Sequence, residues 1–232
     1  MIHLRRHFNP QEIKLLIFDL DGTLIDSRLD LVHSVNAALR HLSRPELPED
    51  MIASYVGDGA PMLIRRALGD EADNETLVRS GLEYFLSYYK EHKLDHTIVY
   101  DGIEDALRTI RNGHNGQSRK MAVLSNKPVN PSRAIVNELG LGKFLSPVYG
   151  GNSFATKKPD PEGALTILQE TGSRPEETLI VGDSGVDVNT AKNAGMWSCG
   201  VSYGFAPHTL VADPPDILVD SPADLGRLFS NS

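Results

Sequence analysis

With a single cysteine, Cys199, the chain can form no intrachain disulfide. The residue falls in an apolar run, Met196 to Val201, that reads as a buried strand rather than the surroundings of an activated thiol. A reducing cytoplasm is therefore the expected setting. Long hydrophobic runs are missing too. Nothing approaches the ~18 apolar residues of a membrane helix, and the amino-terminal stretch MIHLRRHFNP has basic residues but no apolar signal segment, so no membrane partner is expected. An excess of positive charge is also absent: 23 Lys and Arg against 31 Asp and Glu give a net charge of -8, which argues against a nucleic-acid partner. An anionic substrate would need local positive features in an acidic protein. Repeats and low-complexity tracts are lacking, and Asn112 to Gln117 reads as a polar, glycine-bearing surface loop. What remains is 232 residues with 40% hydrophobic content, enough for a full core in one large domain or one domain carrying an insertion.

Short β-rich runs recur at Lys14 to Phe18, Met121 to Ser125, Pro147 to Gly150, Thr178 to Val181, Ser198 to Ser202 and Ile217 to Val219. Helical patterns lie between them near Ile103 to Arg111, Pro131 to Leu139, Pro161 to Glu170, Val186 to Ala194 and Pro222 to Phe229. The alternation predicts an α/β fold, a Rossmann-like doubly wound parallel sheet covered on both faces. The first two strands are separated by far more chain than the ~12 residues a crossover needs. Leu31, Val35, Ala38 and Leu42 repeat at helical spacing, as do Val78, Leu82, Phe85 and Tyr89. A third helix lies between them, and Ser27 with Asp30 has the spacing of a capping box. Residues 27–96 are expected to form an inserted helical cap, with 1–26 and 97–232 as the catalytic core.

The chemistry begins at FDLDGTLIDS, Phe18 to Ser27, where Asp19 and Asp21 stand two apart as an apolar strand gives way to a glycine turn. Side chains at i and i+2 of an extended segment point the same way. The pair sits at the carboxyl end of a strand, where open α/β sheets bind ligands. Two carboxylates held together imply a metal site, a proton-sharing pair, or both. A calcium loop does not fit, because Gly22 is the fourth residue from Asp19 rather than the sixth and no glutamate stands at the twelfth. Further stations follow in order. LSNKP puts Ser125 and the Asn126 amide at another strand end, where both can donate to an anion. Lys157, Lys158 and Pro159 precede a helix opened by Asp160 and Pro161. VGDSGVDVNTAKNAG places Asp183 at a third strand end, with Ser184 and Asp187 spaced as a capping box and Gly195 ending the helix. Three converging carboxylates call for a cation.

Taken in order, DLDGT, LSN, KKP and GDSGVD resemble the four motifs of the haloacid dehalogenase-like superfamily, and the helical insertion resembles its C1-type cap. The resemblance implies a magnesium-dependent phosphatase acting on a small phosphorylated metabolite through an aspartyl-phosphate. Asp19 would be the nucleophile and Asp21 the acid and base. Magnesium would be held by Asp19, the backbone carbonyl of Asp21, and Asp183. Ser125, Asn126 and Lys158 would bind the phosphoryl group, Lys158 being chosen over Lys157 because it directly precedes proline, and Asp187 would orient metal waters or the lysine. Asn126 and Lys127 are placed at the substrate mouth. YVGDGAPMLIRRALG, YYKEH and VYDGIEDAL resemble the subfamily that hydrolyses 2-phosphoglycolate to glycolate and phosphate. Related capped enzymes act as β-phosphoglucomutases, on sugar phosphates or on pyrophosphate, and a catalytically silent binding protein is the remote alternative. A monomer or homodimer is expected. On the helix Ala60 to Leu68, Arg65 and Arg66 lie opposite the apolar face with Met62; that face is either bulk solvent or the cleft, and in the second case Arg65 or Arg66 is expected to grip the substrate's carboxylate.

Overall fold

In a computed structural model that describes residues 1–112 and 118–230, the apolar run before Asp19 becomes β2 (Leu15–Phe18), with all four residues buried. Leu16 and Phe18 face the larger core and Leu15 and Ile17 the smaller, as the period-2 geometry of a strand dictates. β5 (Lys120–Leu124) and β7 (Thr178–Gly182) flank it, both parallel to it. β6 (Val148–Tyr149), β8 (Trp197–Val201) and β9 (Ile217–Val219) continue the parallel sheet outwards. The order is β1-β9-β8-β7-β2-β5-β6. Its edge differs from the all-parallel expectation: β1 (Ile2–Leu4) runs antiparallel to β9. Its three residues are all exposed, so no apolar run advertises it.

α5 (Ile103–Arg111), α6 (Val129–Glu138) and α9 (Pro222–Ser230) contribute Leu107, Ile135 and Phe229 to the larger core. α7 (Glu162–Thr171) and α8 (Gly185–Ala194) contribute Ile167 and Ala191 to the smaller. Helices thus cover both faces of the sheet. The chain runs from β2 to β5 and β6 on one side, then returns to β7 on the other, so the strand order reverses at β2. The crevice at such a reversal is where ligands bind in this class of sheet.

Between β2 and β5, β3 (Ile25–Asp26) and β4 (Ile98–Val99) pair antiparallel as a two-stranded ribbon. The chain between them forms α1 (Arg28–His41), α2 (Glu49–Ser54), α3 (Ala60–Leu68) and α4 (Glu75–His92). This is one helix more than expected; α2 has only six residues, too few to show a periodic face. Leu31, Val35 and Ala38 of α1 and Val78, Phe85 and Tyr89 of α4 are buried, and Leu42 and Leu82 pack half-buried against them. We take residues 27–96 as the cap and 1–26 with 97–232 as the core, the ribbon marking both crossings.

The start of α1 departs from the capping-box expectation. Ser27 makes no capping bond; its hydroxyl donates to Asp21 Oδ1 at 2.5 Å. The buried Asp30 carboxylate instead accepts from the His96 amide at 3.0 Å, the Thr97 amide at 2.8 Å and the Thr97 hydroxyl at 2.6 Å. Asp30 therefore fastens the first turn of the cap to the segment that leaves it. Of the expected polar loop Asn112 to Gln117, all but Asn112 lies outside the described residues. No helix among the described residues is long and apolar enough to cross a membrane.

Candidate active site

Asp19 follows the last residue of β2, and its amide donates to the Val181 carbonyl of β7 at 2.9 Å. The next turns are fixed by glycine. Gly22 has φ +77°, and a Cβ there would lie 2.3 Å from Asp183 Oδ2, so only glycine lets the two loops close together. Asp183 follows β7, is buried, and accepts from the Phe205 amide at 2.6 Å and the Ala206 amide at 3.2 Å. At Gly182 a Cβ would lie 2.1 Å from the Asp187 carboxyl carbon. The expected capping box on α8 is present: Ser184 and Asp187 satisfy each other's backbone amides.

Two lysines divide the carboxylates between them. Lys158, 5% exposed, places Nζ 3.0 Å from Asp19 Oδ1 and 2.6 Å from Asp187 Oδ1. Burial acts to lower its pKa, but the Asp187 and Asp19 carboxylates outweigh it and hold the ammonium above its ordinary value. Lys157 points elsewhere, donating to the Asp58 carbonyl of the cap. Lys127 is equally buried, with Nζ 2.8 and 3.0 Å from the two Asp21 oxygens. There too burial is outweighed, by Asp21 first, and the ammonium is held above its ordinary value. The expectation placed Lys127 only at a substrate mouth. Its pairing with Asp21 follows from sheet register, because Phe18 lies opposite Val123 and the two loops leave the sheet side by side.

Ser125 and Asn126 stand at the end of β5 as expected. The Ser125 hydroxyl accepts from the Lys127 amide at 3.3 Å, and the Asn126 side-chain amide donates to Gly57 O of the cap at 3.1 Å and to Lys158 O at 3.0 Å. A cleft opens above Asp19, Asp21, Ser125, Asn126, Lys127 and Asp183. Its cap wall is apolar, with Leu31, Val56, Leu63, Phe85 and Leu86. Arg65 and Arg66 do not line it. Arg65 donates to the Ala72 carbonyl and to both Glu75 oxygens; Arg66 binds the Tyr55 carbonyl and Asp58. The helical periodicity placed them correctly opposite the buried face of α3, but these partners, not a substrate, occupy them. The structure thus does not bring the two arginines together with the other candidate site residues.

Asp19, Asp183 and Asp187 bring one carboxylate oxygen each within 4.8 Å of one another. With Asp21, four carboxylates face two ammonium groups, leaving two negative charges uncompensated when all are ionised. Burial, then the Asp187 and Asp19 charges, push Asp183 up to about 8. Burial likewise pushes Asp19 up, against the opposing pull of Lys158. Asp187 is fully engaged by Lys158 and Ser184, whereas Asp19 Oδ1 meets the Lys158 ammonium at 3.0 Å and keeps further acceptor capacity. A divalent cation between Asp19 and Asp183 fits this donor set, since carboxylate oxygen is the ligand that hard cations take.

These features agree with the comparisons. Residues 16–201 match the family model for haloacid dehalogenase-like hydrolases. A phosphoglycolate phosphatase of Chromobacterium violaceum is 37% identical over 96% of this chain and 99% of its own length. One of Pseudomonas putida is 38% identical over 89% of this chain and 76% of its own length. The crystal structure of a predicted phosphoglycolate phosphatase from Haemophilus somnus superposes with a TM-score of 0.86 at 30% identity, covering 94% of this chain and 98% of that one. The chain belongs to the haloacid dehalogenase-like hydrolases.

Proposed function

We propose that this hydrolase is a phosphatase of small phosphate monoesters, with 2-phosphoglycolate as its substrate and magnesium as its metal. The observation that carries the reading is the separation of the two carboxylates. Asp19 lies against Lys158 and beside Asp183, while Asp21 is turned to Ser27 and Lys127. This division of partners supports reading Asp19 as the attacking carboxylate and Asp21 as the one that handles a proton. A halide leaves unprotonated and needs no such second group, whereas an alkoxide leaves poorly without a proton. The relatives named above carry the phosphoglycolate phosphatase name at 37–38% identity, which supports the substrate.

In this account an Asp19 oxygen attacks phosphorus as the bond from phosphorus to the glycolate oxygen breaks. Asp21 acts as the general acid in this step, passing a proton to that oxygen. Glycolate leaves, and the phosphoryl group stays on Asp19. Water then attacks phosphorus, passing a proton back to Asp21, and the bond to Asp19 breaks to release phosphate. Ser125 and the Asn126 amide donate to phosphoryl oxygens, and the Lys158 ammonium offsets charge that spreads over them in the transition state. Asp187 holds Lys158 in place for this. Asp19, Asp183 and the Asp21 backbone carbonyl are the groups that would hold magnesium, which when bound screens the phosphate's charge from the nucleophile. The apolar cap wall presents few partners for sugar hydroxyls, which favours a small substrate over a hexose phosphate. Phosphate release with magnesium from 2-phosphoglycolate, sugar phosphates, nucleotides and pyrophosphate tests the reading. The highest kcat/KM is expected for 2-phosphoglycolate; a clear preference for a sugar phosphate or pyrophosphate would refute it.

A further inference from the structure

The proposed substrate is anionic at both ends, and the groups assigned so far receive only the phosphoryl end. Its carboxylate stands one methylene from the bridging oxygen. Any group that holds it must therefore neighbour Asp21, which serves that oxygen. The leucine, valine and phenylalanine side chains of the cap wall cannot do so. Arg65 and Arg66 are held by Glu75 and Asp58 away from the cleft. Among the described residues that line the cleft, the one cationic side chain is Lys127. It lies within 3.0 Å of both Asp21 oxygens.

A second, independent feature lies beside it. Tyr89 of α4 lines the same cleft and is 3% exposed; the Lys127 ammonium stands beside its hydroxyl as a donor, while the hydroxyl's own proton has no acceptor among the described residues. Buried hydroxyls are normally paired, so an unaccepted proton in a ligand cleft marks a place for an acceptor. Burial pushes this phenol up to about 12, which keeps its proton available for donation. The Tyr89 ring also sits 4.5 Å from Lys127 Nζ, so the cation of the core and the hydroxyl of the cap border one space.

We propose that Lys127 and Tyr89 form the seat for the substrate's carboxylate, and that this seat selects small α-carboxylated phosphate esters. The inference rests on the phosphatase reading above and adds to it the residues that set specificity. Lys127, paired with Asp21 and beside Tyr89 before substrate arrives, shares its ammonium with the incoming carboxylate, while Tyr89 donates from the cap side. Because one partner comes from each side of the cleft, the carboxylate binds fully only when cap and core are together. An ester without the carboxylate gains neither contact, and a site built to pair a polar group discriminates strongly against ligands lacking it.

The test compares kcat/KM for 2-phosphoglycolate and ethyl phosphate, with magnesium, in the wild type and in Tyr89→Phe and Lys127→Met. Ethyl phosphate keeps the methylene and lacks the carboxylate. Lys127→Met lowers turnover of both esters because Asp21 loses its partner, so the ratio of the two values is the readout. Tyr89→Phe removes a single hydroxyl and keeps the ring packed on Phe85, so it remains folded even where Lys127→Met proves unstable. The expected result is a fall in the ratio of about tenfold for Tyr89→Phe and on the order of a hundredfold for Lys127→Met, expressed mainly in KM. Equal losses on both esters in both variants would overturn the seat and leave Lys127 as a positioning residue for Asp21, with the phosphatase reading intact. Wild-type enzyme that cleaves ethyl phosphate but not 2-phosphoglycolate would remove the substrate reading itself, and the seat with it, before any variant is made.

Discussion

Asp19 and Asp21 carry the same functional group on one short loop, and their neighbours give them different work. Lys158 holds the first and Lys127 with Ser27 the second. Asp19→Asn is nearly isosteric, so the variant is expected to melt close to the wild type while phosphate release falls to background. Asp21→Asn is expected to lower kcat by ~10²–10⁴-fold, the usual range for a lost acid–base group, with KM changed far less. Steady-state kinetics beside thermal melting of both variants checks this. Asp19, Asp21, Ser125 and Asp183 could be singled out because each sits in a short motif at a strand end, and Lys158 because it directly precedes proline at a helix entry. The pairing of Lys127 with Asp21 was not, since it joins residues 106 apart in sequence and depends on the register of two strands. Arg65 and Arg66 show the converse limit. Helical spacing gives the face of a side chain, but only the fold supplies Glu75 and Asp58 as its partners.

Among the elements, the attachment of α1 is the joint that the sequence misrepresented. Ser27 and Asp30 have capping-box spacing, yet tertiary donors from His96 and Thr97 outcompete the local amide for the Asp30 carboxylate. Asp30→Asn turns one acceptor into a donor facing other donors. It is expected to destabilise the protein by about 1–3 kcal/mol in chemical denaturation, the cost of leaving buried polar groups unpaired. On α8 the same spacing does form the local motif, and Ser184→Ala is expected to cost about 1 kcal/mol. Between β2 and β7, Glu177 bonds Arg174 and Lys14. Those two cations, Arg174 first, hold its carboxyl at about 2 against an ordinary 4.5. Its contribution to stability is thus present above about pH 4.5 and is lost as the pH falls towards 2. Glu177→Gln should narrow that acid-dependent loss, measured as melting temperature across the interval. The principal strands and helices were readable from period and length, whereas β1 and α2 were not: one is three exposed residues and the other less than two full turns.

Taken whole, the molecule is an acidic protein with a net charge of -8 that must receive a doubly anionic substrate. The site meets this with two buried lysines and a carboxylate set suited to a divalent cation rather than with a basic surface. Removing metal with a chelator should abolish phosphate release, and added magnesium should restore it. Calcium should substitute poorly, because it favours more ligands at longer distances. Asp183→Asn should raise the magnesium concentration needed for half-maximal activity. The order of motifs along the chain made the sheet and the inserted cap legible. The cap's hold on the core through Asn126 and Gly57, and through Lys157 and Asp58, is a matter of three-dimensional fit that no local pattern records. The account stands on covalent transfer to Asp19, and acid quenching during turnover of 2-phosphoglycolate labelled at phosphorus tests it most directly. The label is predicted on the peptide that contains Asp19, absent from Asp19→Asn and released as phosphate when turnover continues. Wild-type enzyme that hydrolyses the ester while its protein stays unlabelled at every quench time, or that carries the label on another residue, would contradict it.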